Sequence, residues 1–391
     1  MSDMPVDADA IALGVARAVI STPPHHAPDA AAAALGADLD AEHVALWQAD
    51  YAMRLLHAVG HWPGQDRPAP MPVASPAAPP FRGQQPQIEP DVDGRHRLIV
   101  PLTVRGHRLG MVETAASGDP KTLLDAVRQA ANLLAPLLIQ ASHGDDVYEM
   151  RRRSQRLSLP AEMQWQILPR PGLHTEAFSV YAQLEPAHLI SSDAFDWSYD
   201  GQRLTVIVLD SAGEGVSAAQ STDLAMTALR NARRAPVSLV EAVSLADQAL
   251  WDEYRGASVV ELLLVEYDLV AHTATLVGSA TPTLLRWQTG QLDVAASTTD
   301  NPLGASELTV YHPQRIRPLT EGGIDLLVTD GVLHTDPQST AFGTPGIERI
   351  LREPGVPIWE IPRLIVDAVR RYCGGALPDD ASCVAVSLAG R

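Results

Sequence analysis

Two patterns of apolar and polar positions occur along the first 170 residues of the chain, one typical of helices and one typical of strands. An alanine-rich segment up to about residue 37 predicts helix, interrupted at Pro23-Pro24. A proline-rich stretch at residues 63–80 predicts a surface loop, because proline removes a ladder donor. Short apolar runs elsewhere predict strands, and the last two flank a glycine turn as a hairpin does. The predicted strands are 42–47, 54–59, 97–104 and 109–113.

A helical pattern begins near Thr122, where apolar residues recur at intervals of three and four and form one stripe. The stripe consists of Leu123, Leu124, Val127, Ala130, Ala131 and Leu134. Residues 143–146 break the pattern, and a second helix is predicted from Val147 to Ile167. Since the stripe occupies one face, it allows a parallel helix pair in a dimer, a suitable element for switching.

Strand-like runs dominate after Pro171, with helical segments at residues 218–232 and 239–254 inserted between them. Strands interspersed with helices indicate sheets covered by helices, which is an α+β fold. The clearest predicted strands are 178–182, 204–209, 260–265, 273–277 and 325–328.

The length and composition of the chain narrow its class. A chain of 391 residues exceeds one ordinary core, so we expect two domains and a connector. No apolar run reaches the roughly 18 residues of a membrane span, and the first residues lack the pattern of a secretory signal. The two cysteines, Cys373 and Cys383, favour structural thiols over a disulfide framework. We therefore expect a cytoplasmic protein.

Acidic side chains carry the candidate chemistry. The formal net charge of −18 argues against a nucleic-acid partner, since phosphate binding needs clustered cations. Apolar strands that end in carboxylates offer the oxygen ligands that Mg²⁺ and Mn²⁺ prefer. Aspartate also favours turns, so each position alone has an ordinary structural explanation. The aspartates at or beside strand ends are Asp193, Asp196, Asp210, Asp330, Asp379 and Asp380.

Six segments follow one another from residue 157 in a recognisable order and spacing. They are Leu157–Pro169, Ser192-Asp193-Ala194-Phe195-Asp196, Asp210-Ser211-Ala212-Gly213-Glu214-Gly215, Asn301-Pro302-Leu303-Gly304, Thr329-Asp330-Gly331-Val332 and Asp379-Asp380-Ala381-Ser382. Through them the chain resembles the SpoIIE-type phosphatases of the PPM (phosphatase 2C-like) superfamily. The resemblance implies a PPM-type β-sandwich flanked by helices (αββα) over residues 172–391, after an entry helix.

The resemblance also implies a metal-dependent protein serine/threonine phosphatase. Asp210 would bridge two Mn²⁺ or Mg²⁺ ions, with the backbone carbonyl of Ser211 as a further ligand. Asp330 and Asp379 would bind the ions from the other sheet, and Asp193 would act directly or through a bound water. Asp210 and Asp330 are the catalytic residues that we expect. The two cations would activate a water for attack on the phosphoryl group.

Three departures from the family fall at the site, and the role of Asp196 stays open. Ser191-Ser192 replaces Gly-Gly, Glu214 replaces the histidine of Gly-His-Gly, and residues 278–282 read Gly-Ser-Ala-Thr-Pro for Asn-Ala-Gly-His-Pro. Glycine is often needed where backbone approaches a ligand. Glu214 adds negative charge, which strengthens metal binding or repels a phosphorylated substrate. A second interpretation is therefore a weak or inactive pseudophosphatase that acts as a sensor or scaffold.

The N-terminal half resembles a GAF domain in two paired runs, Val100-Pro101-Leu102-Thr103-Val104 and Leu109-Gly110-Met111-Val112. The resemblance implies a sensory or dimerisation domain at residues 39–141. A helical lead-in at 1–38 would precede it, and a helical linker at 142–171 would follow. The implied partner is a phosphorylated, anti-anti-sigma-like regulatory protein, with no nucleic acid and no membrane. A homodimer through the GAF domain and linker helices is a further expectation.

Overall fold

The chain divides into two compact units, Met1–Arg156 and Leu157–Arg391, so the division falls inside the linker predicted at 142–171. No helix in the described ranges is long and apolar enough to cross a membrane. The computed structural model describes residues 7–41, 43–60, 67–75, 78–90, 94–153, 157–187, 192–235, 237–333 and 342–389.

The first unit is a six-stranded antiparallel sheet in the order β3-β2-β1-β6-β5-β4, with three helices over one face and one short helix on the other. The four strands predicted in this half are confirmed as β1, β2, β5 and β6. The elements are α1 (Ala8–Ile20), α2 (Ala27–Leu39), β1 (His43–Ala49), β2 (Leu55–Val59), β3 (Met71–Pro72), α3 (Pro79–Gly83), β4 (Gln87–Pro90), β5 (His96–Val104), β6 (His107–Ala116), α4 (Pro120–Ser142) and α5 (Asp146–Arg152).

The apolar stripe of α4 is covered inside its own unit. Leu123, Val127 and Leu134 belong to a buried core that also contains residues of α1, α2 and the sheet. Burial of the stripe removes its apolar surface from water and stabilises the unit. The stripe therefore gives no support to a helix pair between two copies of the chain.

The single helix predicted from Val147 to Ile167 is wrong, because two separate helices occupy this segment. Helix α5 ends at Arg152, and α6 (Leu159–Ile167) begins after Ser158, whose side chain caps the first turn. Pro160 lies in that first turn. Proline has no N–H for an earlier turn to use, so it starts a helix and does not continue one.

The second unit contains two antiparallel sheets, in the orders β15-β12-β11-β10-β9 and β14-β13-β16-β17-β8-β7. Its remaining elements are β7 (Gly172–His174), β8 (Phe178–Glu185), β9 (Ala194–Tyr199), β10 (Arg203–Ser211), α7 (Gly215–Ala232), α8 (Leu239–Tyr254), β11 (Val260–Asp268), β12 (Thr273–Gly278), β13 (Thr283–Gln288), β14 (Gln291–Ala296), β15 (Gln314–Ile316), β16 (Ile324–Val328), α9 (Asp330–Leu333), α10 (Gly343–Leu351), α11 (Ile361–Tyr372) and β17 (Ala381–Leu388).

Three apolar cores give this unit its layers. One core joins the inner faces of the two sheets, one packs α7 and α8 on the first sheet, and one packs α10 and α11 on the second. The layers therefore run helix, sheet, sheet, helix, and the predicted α+β class is confirmed. Along β10, Val206 and Val208 face the other sheet while Ile207 and Leu209 face α7 and α8. This alternation is the period-two pattern of a strand buried on both faces.

Candidate functional site

Three carboxylates meet where strands of the two sheets end. Asp210 is the penultimate residue of β10, Asp330 follows β16 as the first residue of α9, and Asp379 lies two residues before β17. The Asp330 side chain hydrogen-bonds to that of Asp210, and Asp379 acts on Asp210 through its charge. Burial, followed by the charges of Asp330, Asp379 and Glu261, raises the pKa of Asp210 to about 8. The structure thus brings together the aspartates predicted at these strand ends.

Asp193 lies behind this group and is 1% exposed. Its Oδ2 accepts a hydrogen bond of 2.7 Å from Oγ1 of Thr329, the residue that precedes Asp330. Burial raises the pKa of Asp193 well above its ordinary value, and the charges of Asp210 and Asp380 add to the effect. The side chain is thus fixed beside the strand ends.

The two aspartates of the closing motif have different environments. Asp380 is fully buried, and its Oδ1 accepts from the backbone N–H of Ala187 at 2.7 Å. Its Oδ2 accepts from the backbone N–H of Asp193 at 3.4 Å, so Asp380 holds the Asp193 segment. Asp379 is only half-buried, and its Oδ1 accepts from the N–H of Asp380 at 2.8 Å. Asp379 is therefore the one of the pair that is accessible at the site.

Helix α6 reaches the site through Gln164, which the sequence analysis missed. This side chain is 1% exposed, and its Nε2 donates to the backbone carbonyl of Asp193 at 2.8 Å and to Oδ2 of Asp380 at 2.6 Å. The entry helix therefore bonds directly to two segments that carry predicted site residues. No local pattern marks Gln164, because both partners are distant in the sequence.

Asp196 belongs to a separate ionic cluster. It lies within β9, the third of its six residues, and not beyond the end of a strand, which corrects the sequence-based placement. Its Oδ2 pairs with Nε of Arg230 at 2.9 Å and with Nη1 of Arg233 at 2.7 Å. Nη2 of Arg230 also donates to the backbone carbonyl of Ile167 at 2.6 Å, at the end of α6. Asp196 therefore anchors α6 and α7.

Gly331 explains the glycine of the Thr-Asp-Gly motif. A Cβ atom on this residue would lie 2.0 Å from the backbone oxygen of Asp380. Real side chains do not fit at such a distance, so only glycine lets the start of α9 approach β17 this closely. The contact brings the Asp330 segment against the Asp379-Asp380 segment.

The altered positions fall in different surroundings. Ser192 is fully buried, and its backbone carbonyl accepts from Oγ1 of Thr222 at 2.9 Å; Ser191 lies outside the described residues. Glu214 is exposed at the cap of α7 and makes no side-chain capping bond there. Ser211, the predicted backbone ligand, is not an altered position. It is buried, and its hydroxyl donates to the carbonyl of Ala218 at 3.4 Å.

The donor set fits a hard divalent cation by its chemistry. Oxygen ligands from carboxylates suit Mg²⁺ and Mn²⁺, and the contact of two carboxyl groups at Asp210 and Asp330 requires a proton or a cation between them. Within the ranges that the structure describes, no group of three or more His, Cys, Asp or Glu side chains is arranged so that it could hold a metal ion. The fit therefore rests on the donor chemistry and on this carboxyl contact.

Comparisons with known proteins find matches to the second unit. Residues 200–389 match the family described as Stage II sporulation protein E (SpoIIE). No curated protein matches the sequence.

Among solved structures, the RsbU and RsbW domains of a Mycobacterium tuberculosis protein share 22% identity, with a TM-score of 0.45, over 55% of this chain and 60% of that one. The chain thus spans less than two thirds of that structure. The SiaA PP2C domain of Pseudomonas aeruginosa shares 21% identity, with a TM-score of 0.45, over 53% of this chain and 83% of that one. The SpoIIE phosphatase domain with a regulatory fragment from Bacillus subtilis shares 13% identity, with a TM-score of 0.47, over 79% of this chain and 82% of that one.

Proposed function

We propose that this chain, which carries a SpoIIE/PP2C-type phosphatase domain matched over residues 200–389, is a metal-dependent protein serine/threonine phosphatase in bacterial signalling. It removes phosphate from phosphoserine or phosphothreonine on a regulatory protein partner. One observation carries the proposal: the carboxylates of Asp210, Asp330 and Asp379 converge from separate strand ends of two sheets.

Each predicted site residue takes a role that fits its position. Asp210, Asp330 and Asp379 would hold two Mn²⁺ or Mg²⁺ ions, with the backbone carbonyl of Ser211 as a further ligand and Asp193 acting directly or through a bound water. When bound, the ions would lower the pKa of a water and orient it for in-line attack on phosphorus. Asp210 and Asp330 are deprotonated in the active form, since a protonated carboxyl is a poor ligand.

The N-terminal unit is a GAF-like sensory or dimerisation domain in this proposal. Its six-stranded antiparallel sheet with helices over one face supports such a domain. By resemblance the partner is an anti-anti-sigma-like phosphoprotein, and the setting is cytoplasmic. A homodimer through the GAF and linker helices stays a prediction. A monomer in analytical ultracentrifugation at high protein concentration would contradict it.

A second function, a pseudophosphatase that acts as a sensor or scaffold, is favoured by a specific observation. The loop at residues 278–282 lacks the glycine and histidine of the family, and Ser279 within it is 1% exposed and bonded to β11 through the N–H of Leu262. A loop fixed in this way carries no histidine that could take part in turnover. Turnover separates the two functions.

The test is Mn²⁺-dependent hydrolysis of p-nitrophenyl phosphate and of a phosphoserine-bearing regulator protein. The wild type should turn over both substrates, chelation should stop the reaction, and Asp330→Ala should abolish it. Asp293→Asn is the matched control, because Asp293 is an exposed aspartate on β14 and should leave the rate unchanged. No metal-dependent rate in the wild type, with normal folding, would favour the pseudophosphatase.

A further inference from the structure

A glutamate that no family signature contains lies directly opposite Asp210. In the antiparallel ladder of β10 and β11, Asp210 pairs with Glu261. Side chains of directly opposed residues share one face with Cβ atoms about 5 Å apart, and like charges there are unfavourable. The charge of Glu261 acts on Asp210, and that of Asp330 acts on Glu261.

Asp210 is buried and Glu261 is half-buried. In the described part of the chain, neither forms an ion pair with an arginine, lysine or histidine. By contrast, the buried Asp196 and Asp325 of the same unit each face an arginine. Carboxylates withdrawn from water without a cation are costly, so two opposed ones favour a neutralising ion from outside the chain.

Glu261 lies beside the altered loop, since Ser279 and Thr281 act on its carboxyl group. Its Oε2 is buried with no hydrogen-bond partner among the described residues. Ser279 is itself fixed, because its Oγ accepts from the N–H of Leu262 at 2.8 Å and its carbonyl accepts from Thr298. Oε2 of Glu261 therefore remains available as a ligand.

We propose that Glu261 is an additional metal ligand, which shares a divalent cation with Asp210 through Oε2. This inference rests on the proposed function, because it concerns the same metal centre. The altered loop then lies beside the extra carboxylate, where Ser279 and Thr281 act on it. Glu261 would raise the affinity of the site for Mn²⁺ or Mg²⁺ by adding an anionic oxygen.

Glu261→Gln tests whether Glu261 binds the metal ion or only holds the altered loop in place. Glutamine has the same shape and keeps one carbonyl oxygen, but it lacks the charge. At pH 9, where Asp210 is ionised, loss of the charge should raise the melting temperature of the metal-free protein, because the repulsion with Asp210 disappears. It should also weaken Mn²⁺ binding at least about tenfold, the loss typical for residues that support a metal.

Isothermal titration of MnCl₂ into the full chain measures the affinity, and thermal unfolding in EDTA measures the metal-free stability. Glu266→Gln is the matched control, because Glu266 lies on the same strand outside the site and should leave Mn²⁺ affinity unchanged. Should Glu261→Gln not fold, Glu261→Asp keeps the charge but withdraws it by one methylene. It should weaken Mn²⁺ binding as well.

The outcomes distinguish this inference from the proposed function. Mn²⁺ binding that Asp330→Asn weakens and Glu261→Gln leaves at the wild-type affinity would overturn the role of Glu261 alone. No Mn²⁺ binding by the wild type would overturn both proposals. Weakened binding together with a more stable metal-free Glu261→Gln protein is the result that we expect.

Discussion

The side-chain amide of Gln164 in α6 donates a hydrogen bond of 2.6 Å to Oδ2 of Asp380, 216 residues further along the chain. The same amide nitrogen donates to the backbone carbonyl of Asp193. The helix that enters the second unit therefore fixes the segments on which two of the predicted metal ligands, Asp193 and Asp379, are carried. A displacement of α6 would change the spacing of those ligands.

Gln164→Leu should lower both the phosphatase rate and the Mn²⁺ affinity. It removes the side-chain donor of buried Asp380, which keeps the backbone N–H groups of Ala187 and Asp193, and this costs about 1–3 kcal/mol in the free energy of unfolding. Gln166→Leu provides the control, since Gln166 is exposed on the same helix. Steady-state hydrolysis and MnCl₂ titration of both variants test the prediction. Equal Mn²⁺ affinities for Gln164→Leu and Gln166→Leu would show that α6 does not position the ligands.

The raised pKa of Asp210 predicts how metal-free stability depends on pH. The pKa moves from an ordinary 3.8 to about 8 in the folded protein, so the folded state holds a proton that the unfolded state releases. The stabilisation that this proton gives is fully present below about pH 4 and is lost as the pH rises through about 8. The free energy of unfolding falls by at most about 1.4 kcal/mol per pH unit. Urea unfolding in EDTA at pH 5, 7 and 9 measures it.

Asp210→Asn is the reference for that experiment, because it has no proton to release. The free energy of unfolding of the wild type should fall relative to Asp210→Asn between pH 5 and pH 9. Saturating Mn²⁺ should remove the fall, since the cation takes the place of the proton. A constant difference across this range would mean that Asp210 titrates in the folded protein as it does in the unfolded chain.

Removing one partner of a buried ion pair in the second unit should greatly lower the free energy of unfolding. Arg286 bonds to fully buried Asp325 through Nε at 2.6 Å and Nη2 at 2.7 Å, and Tyr267 of the other sheet donates to the same carboxylate at 2.9 Å. Arg286→Met leaves this carboxylate without its cation. We expect a loss of about 3–5 kcal/mol in the free energy of unfolding.

Urea unfolding of three variants tests the ion pair. Arg315→Met, which changes an exposed arginine on β15, should lose less than about 0.5 kcal/mol. The double variant Arg286→Met with Asp325→Leu should be more stable than Arg286→Met alone, because no buried charge remains. A double variant that is less stable than the single one would contradict this account.

Local periodicity predicted much of the fold. Strands β8, β10, β11, β12 and β16 and helices α7 and α8 follow from apolar runs or stripes in the sequence. The amphipathic helix α11 was missed although its signal is present, since Ile361, Ile365 and Val369 recur at four-residue spacing and are buried. The helix predicted across residues 147–167 failed because periodicity alone overlooked Pro160 in the first turn of α6.

The site was predictable only where short motifs mark it. Asp210, Asp330 and Asp379 stand in short motifs that also contain glycine, threonine or a second aspartate in recognisable order, whereas Glu261 and Gln164 stand in no such motif. Glu261 becomes visible only through its register with Asp210, and register depends on how two distant strands pair. Contacts of that kind are set by the folded chain, and no local pattern specifies them.

Anomalous diffraction from crystals grown in saturating MnCl₂ tests the metal centre most directly. We predict two manganese peaks beside Asp210, with carboxylate oxygens of Asp330 and Asp379 within coordination distance, about 2.0–2.6 Å. A well-ordered crystal with no manganese peak between these three side chains would contradict the account.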